Sequence, residues 1–261
     1  MPSLIDRIRE KRSGCVWIGN CPIYDAGRTR LLHRRGATTR GRGPVLKYPD
    51  CTLIDCDQHT PEWFDVRKGN LTASQFGDWL TKTGKVSDKA RLAAASKVLA
   101  EFAGYPDPPP FVNADMKRGI ELEEDARQLF MSETGLVVDQ IGFAKSKHGF
   151  FGCSPDGLIL DSGEGLEIKV PRASKLIQYI SNNELPYEYK LQVHGSMAVT
   201  GARKWHFFAW HPGLPYLHIE VKRDKFTEEV FVGLKSYSNF YKALAENMSN
   251  AQLKQSKGAA S

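Results

Sequence analysis

The chain has 261 residues, 41% of them apolar and 10% aromatic, enough to bury a full core as one large domain or as a domain with an arm. No run of about 18 apolar residues occurs, which argues against a membrane span. The charged start Met1–Arg7 lacks a signal core, so a cytosolic protein is the expectation. Residues 1–50 carry eleven Lys/Arg against four Asp/Glu, a net of +7 out of a total of +6, which leaves −1 for the rest. The basic balance therefore belongs to an arm.

Within that arm, Ser3 to Arg12 reads as a short amphipathic helix with Leu4, Ile5 and Ile8 on one side. Between Gly27 and Gly43, Arg28, Arg30, Arg34, Arg35, Arg40 and Arg42 stand among glycines and threonines. Such a flexible cationic segment suits phosphate contact, and a solvated leader of the same composition is the equal alternative. The five cysteines are odd in number and argue against a disulfide framework. Cys15, Cys21, Cys51 and Cys56 allow a zinc site, although neither pair has the short spacing usual for one.

A domain spanning residues 51–248 follows the arm. Thr60-Pro61-Glu62 gives an N-cap, a proline at the first helical position and an acid in the first turn, and Gly69 ends that helix. Leu71 to Ser74 leads into a second helix with Phe76, Trp79 and Leu80. Ser87-Asp88 caps a third, which runs toward Gly104 and a proline-rich loop. From about Asn113 to Thr134 a longer helix places Met116, Gly119, Ile120, Ala126 and Phe130 close to one face. Glu123 shares that face, where a carboxylate is costly unless it is paired or binds a cation.

Ser154-Pro155-Asp156 opens a hairpin. Gly157–Leu160 and Leu166–Val170 read as its strands, with Asp161–Gly165 as the turn. Side chains two apart on a strand share a face, so Glu167 and Lys169 point into one place and the hairpin returns Glu167 toward Asp156. Two carboxylates and an ammonium there suit a hard cation, Mg²⁺ or Mn²⁺, and the orientation of a water. Glu123 then reads as a third carboxylate of that site, free of a core arginine. Farther on come a helix near Ser174–Ile180, another over Pro186–Thr200 with Tyr189, Gln192 and Ser196 as a polar stripe, and strands at Lys204–Trp210 and Tyr216–Val221. Asp224 caps a last helix to about Asn247, and residues 249–261 read as a disordered tail. The order predicts an α/β fold, a central mixed sheet flanked by helices.

Taken in order, Trp63-x3-Arg67-x-Gly69-x2-Thr72-Ala73-Ser74, Gly119-x3-Glu123-x2-Ala126, Ser154-Pro155-Asp156-Gly157, Glu167-Ile168-Lys169 and Gln192 resemble the YqaJ-type viral recombinase family, typified by the phage lambda exonuclease. The resemblance covers about Cys56 to Val221. It implies a restriction-endonuclease-like core of the PD-(D/E)xK superfamily. It also implies a Mg²⁺-dependent 5′→3′ exonuclease, with Mn²⁺ as a substitute, which leaves 3′ tails on double-stranded DNA ends. A homotrimeric ring, a single-strand annealing partner and a phage-encoded protein in the host cytoplasm belong to the same implication. By motif, Asp156, Glu167 and the Ile168 backbone carbonyl hold metal with Glu123 nearby, and Lys169 orients the water. Arg67, Thr72, Ser74, Ser154, Tyr189 and Gln192 match the positions around the 5′-phosphate and DNA. Ser74 at a helix N-terminus and a two-pronged Arg67 agree with anion binding.

An endonuclease of the same fold is one alternative, and a pocket for an end speaks against it. A DNA-binding module with an inactive core is another, and the intact Asp156, Glu167 and Lys169 speak against that. An iron–sulfur nuclease needs cysteines after the core, and none follows Cys153.

Overall fold

Two four-stranded mixed sheets, with helices packed against them, make up the computed structural model, which describes residues 48–108 and 114–258. The arm arginines, Cys15 and Cys21 lie outside the described residues. In chain order the elements are β1 (Cys51–Ile54), α1 (Pro61–Arg67), β2 (Leu71–Thr72), α2 (Phe76–Trp79), α3 (Arg91–Ala103), α4 (Ala114–Thr134), β3 (Phe143–Ser146) and β4 (Phe151–Cys153). Then follow β5 (Gly157–Ile159), β6 (Glu164–Lys169), α5 (Ala173–Asn182), α6 (Lys190–Thr200), β7 (Lys204–Ala209), β8 (Leu217–Lys222) and α7 (Lys225–Gly258).

The first sheet has the order β1-β3-β4-β2. Its β2 runs parallel to β4, and the other pairs are antiparallel. The second has the order β5-β6-β7-β8, with β6 and β7 parallel between two antiparallel edges. The expected hairpin is therefore present as β5–β6, in the register Gly157↔Leu166 and Ile159↔Glu164. The mixed α/β order of the sequence reading is present, with its strands divided between two sheets; in the first, β1–β3 and β2–β4 pair strands far apart in sequence.

Helix α6 explains how the layers are joined. From Val193 to Thr200 every residue is buried, so the helix runs through the interior with the β-strands on one side and α7 against another. Trp79, Phe76, Phe151, Trp205, Phe207 and Tyr237 fill the surrounding core, and the Trp79 indole donates to the Gly233 carbonyl at 2.9 Å. A smaller cluster of Ala126, Phe130, Leu166, Ile168 and Phe208 seats α4 on β6 and β7. Truncating Phe130 there is expected to cost about 3–5 kcal/mol.

Three expectations change. Met116 and Ile120 are 46% and 52% exposed, so only the Ala126–Phe130 part of the α4 stripe is core. Helix α3 begins at Arg91 after a turn in which Arg91 N–H donates to the Ser87 carbonyl at 3.1 Å, and its N-cap is Ala90 without a side-chain bond. The last helix continues to Gly258, through most of the segment read as a disordered tail. Ser249 is buried there and returns its hydroxyl to the Ala245 carbonyl at 3.0 Å, which lets it continue the helix.

Candidate active site

The turn after β4 sets the site. Gln58 donates its amide to the carbonyls of Pro155 at 2.9 Å and Ile141 at 3.0 Å, which holds Ser154-Pro155-Asp156 against the first sheet. Asp156 then accepts at Oδ2 from the Ile168 backbone N–H at 2.6 Å. Gly157 is required next: a Cβ there would lie 2.1 Å from Val138 Cγ1. On β6, Leu166 and Ile168 enter the core, and Glu167 and Lys169 alternate to the other face. Glu167 is 1% exposed, and its Oε1 accepts from Lys169 Nζ and, at 2.5 Å, from the Gln192 amide. The Lys169 ammonium stands 5.3 Å from the centre of the Tyr189 ring, which stacks on Phe207.

These groups crowd one another electrostatically. Burial pushes the Glu167 carboxyl up to about 8, with Asp156 and Glu123 adding to the rise against Lys169. Glu123 rises to about 7 through burial and Asp156, with Arg127 opposing. Asp156 is raised by burial, against Lys169. For Lys169, burial alone would lower the pKa, yet Glu167 and Asp156 outweigh it and hold the amine protonated. Several carboxyls held up in this way share space that favours a cation.

A second group forms beside the first. Thr60 caps α1, and Trp63 on that helix donates its indole N–H to Ser154 Oγ and to the Gly142 carbonyl, each at 2.9 Å. The Arg67 guanidinium lies 3.7 Å above the Trp63 ring. Burial pushes Arg67 down to about 10, with Glu101 opposing, so it stays charged at neutral pH. Gly69 ends the segment with φ +71°, and Phe102 lies 2.8 Å from where its Cβ would be. Thr72 and Gln75 close a capping box, with Ser74 Oγ 3.4 Å from Thr72 Oγ1. The expected helix N-terminus at Ser74 is a 3₁₀ turn, Ala73–Gln75, leading into the four-residue α2. That is too short for a helix dipole, so Ser74 offers its hydroxyl.

One cleft of about 990 Å³ collects nearly all of these side chains. Glu123, Asp156, Ile168, Lys169, Arg67, Thr72, Ser74, Ser154, Tyr189 and Gln192 all line it. Glu167 lies beneath, held by Lys169 and Gln192. Among the described residues no three His, Cys, Asp or Glu side chains form a preformed metal cage. Mg²⁺ does not need one, since it keeps several waters and takes one or two carboxylates.

With this geometry in view, the sequence matches the YqaJ-like viral recombinase domain family over residues 62–203, more than half of the chain. The chain belongs to that family. Among solved structures it is similar to the alkaline exonuclease LHK-Exo from Laribacter hongkongensis, with 29% identity over 75% of this chain and 100% of that one and a TM-score of 0.65. LHK-Exo in complex with dAMP gives 30% identity over the same shares and a TM-score of 0.64. A phage-related exonuclease from Haemophilus somnus 129PT, at 14% identity over 69% of this chain and 96% of that one with a TM-score of 0.53, shares the fold. No curated protein matches the sequence.

This recombinase-family site also uses residues outside the motifs. Arg127, one turn after Glu123, is 4% exposed and donates to Glu123 Oε1 at 2.7 Å and to the Asp156 carbonyl at 2.9 Å. Glu123 is thus paired with a core arginine, against the expectation, while it still faces Asp156. The only sequence signal was the four-residue spacing of acid and base, which is common on exposed helix faces. Gln58 and the linking role of Trp63 carry no spacing signal of their own. Met116 and Ile120 turn into the cleft, together with Asp115, Arg118 and Arg172.

Proposed function

We propose that the protein is a metal-dependent 5′→3′ exonuclease that resects double-stranded DNA ends to 3′ single-stranded tails. The observation that carries this reading is the interlocking of two sets of residues in one cleft. Ser154 sits two residues from Asp156, Gln192 donates to Glu167, and Trp63 joins Arg67 to Ser154. A phosphate-gripping set so close to an acidic set suits cutting near an end. LHK-Exo, solved with dAMP, supports a cleft that takes a nucleoside monophosphate.

The donor set fits a hard divalent cation. Asp156, Glu167 and the Ile168 carbonyl are oxygen donors, and an added cation would offset the burial that raises both carboxyls. Mg²⁺ or Mn²⁺ bound there supplies charge at the scissile phosphate and acidifies water. Because Lys169 is held protonated, it serves as a fixed positive charge that orients the attacking water and steadies the phosphate, not as a base. Arg67 can grip a terminal phosphate with two donors, aided by the Ser74 and Ser154 hydroxyls. The ring-shaped trimer and the annealing partner belong to this proposal through the family resemblance.

Linear duplexes with 5′-phosphate or 5′-hydroxyl ends, beside closed circular DNA, test it in Mg²⁺ and in chelator. Loss of the linear duplexes from the 5′ end, only with cation and faster from a 5′-phosphate than from a 5′-hydroxyl, with the circles intact, is expected. Cutting of closed circles would turn the reading to an endonuclease, and no cutting at all would leave a DNA-binding module.

A further inference from the structure

One charged part of the cleft stands apart from the acids and from the group around Arg67. Asp115, in the first turn of α4, accepts from Arg118 Nη1 at 3.0 Å and from Arg172 Nε at 2.5 Å, and all three line the cleft. Arg172 follows β6 closely, so the acid braces the start of α4 against the strand that carries Glu167 and Lys169. Arg118 keeps its Nε and Nη2 buried without a hydrogen-bond partner among the described residues. On a planar guanidinium those two N–H groups run parallel along one edge, the spacing of two oxygens of a phosphate. Buried donors of a charged group are costly to leave unmet. Asp115 fixes the Nη1 end and leaves the two-pronged edge unused.

Position along α4 narrows the ligand. Arg118 precedes Glu123 by five residues, about 7.5 Å along a helix axis. The fork therefore stands apart from the acidic set along the same cleft, where a phosphate other than the one being cut would lie.

We propose that Arg118 is a phosphate-binding residue whose Nε/Nη2 edge grips a bridging phosphodiester other than the one that is cut, with Asp115 as its positioning residue. The inference rests on the exonuclease reading and adds an internal contact to the terminal-phosphate group around Arg67.

A single neutral methylphosphonate, walked along the recessed strand of a 5′-phosphorylated duplex, tests it by binding in EDTA. For the wild type, one position near the cut site is expected to lose about ten- to 150-fold in affinity. Arg118→Ala should show that loss on unmodified DNA, no further loss at that position, and a salt slope lower by about 0.9. Arg118→Lys, which keeps the charge without the fork, should retain the slope and lose affinity, and it serves if Arg118→Ala folds poorly by thermal melting. Identical methylphosphonate profiles in wild type and Arg118→Ala with the slope unchanged, or undiminished affinity in Arg118→Lys, would overturn the proposal. Wild-type protein that fails to degrade the linear duplex in Mg²⁺ would instead overturn the exonuclease reading.

Discussion

Arg127 on α4 donates from Nε to the backbone carbonyl of Asp156 at 2.9 Å, so a single buried guanidinium joins the helix of Glu123 to the turn of the acidic hairpin. Its Nη2 meets Glu123 at 2.7 Å, Nη1 meets Glu124, and the Gln140 amide, with its oxygen toward Arg127, accepts at 2.5 Å. Removing it leaves a carbonyl and a carboxylate without their donor. Arg127→Met should cost about 2–3 kcal/mol, since hydrogen bonds to charged groups lie in that range. The melting temperature should fall by about 4–12 °C, with nuclease activity reduced as Asp156 loosens. An unchanged melting temperature would show that the contacts contribute nothing net.

Asp156 receives the Ile168 N–H through Oδ2, and an asparagine oxygen can receive it equally well. Asp156→Asn should therefore keep the hairpin and remove only the negative charge. Hydrolysis of linear duplex in Mg²⁺ should fall by at least ~10², as for other positioned charge stabilisers, with melting nearly unchanged. Lys169→Met should do the same to rate. Full activity in either variant would move the chemistry out of this cleft.

The Trp63 ring supports Arg67 and its indole N–H holds Ser154, so two substitutions separate these roles. Arg67→Ala should reduce cutting of 5′-phosphorylated ends about ten- to 150-fold, the worth of a charge-assisted contact, with 5′-hydroxyl ends nearly unaffected. Trp63→Phe keeps a ring under Arg67 and frees Ser154, and should give a smaller loss of the same selectivity. Equal losses on both ends would make Arg67 a general backbone contact.

The hairpin was legible because Leu166–Val170 alternates apolar and polar residues beside a Gly/Asp-rich turn, but its register was not, since the turn closes ahead of Glu164 and Gly157 pairs with Leu166. The first sheet was not: β2 has two residues, and its partner Phe151 lies eighty positions on from Leu71. Glu123 lines the cleft with Asp156, although the stripe that suggested it is only partly core. Helical periodicity groups Met116 and Ile120 with Phe130, and it cannot tell a buried face from a face that lines a cleft. Arg127 was hidden for the converse reason, since a base one turn from an acid looks like a solvated pair until burial is known. Arg67, Ser154 and Gln192 came from family resemblance, because their meeting depends on three separate elements.

Two histidines on the second sheet give the fold a pH dependence. His206 Nδ1 and His218 Nε2 lie 2.8 Å apart, and His206 Nε2 meets Glu164 Oε2 at 2.7 Å. Only one proton fits between the facing ring nitrogens. Burial lowers the pKa of His218 from 6.5, with His206 and Lys204 adding to the fall and Glu220 opposing. Between that lowered value and about 6.5 the unfolded chain binds a proton that the folded chain refuses. Stability from this group is complete above the window and falls as pH drops through it. His218→Gln removes the titration, so its urea midpoint should drop less than that of the wild type between about pH 7.5 and about pH 5.5. Neutral His194, held down by burial against Asp224, supplies a background acid loss common to both proteins. Equal acid losses in the two proteins would mean that His218 accepts its proton in the folded state at no cost.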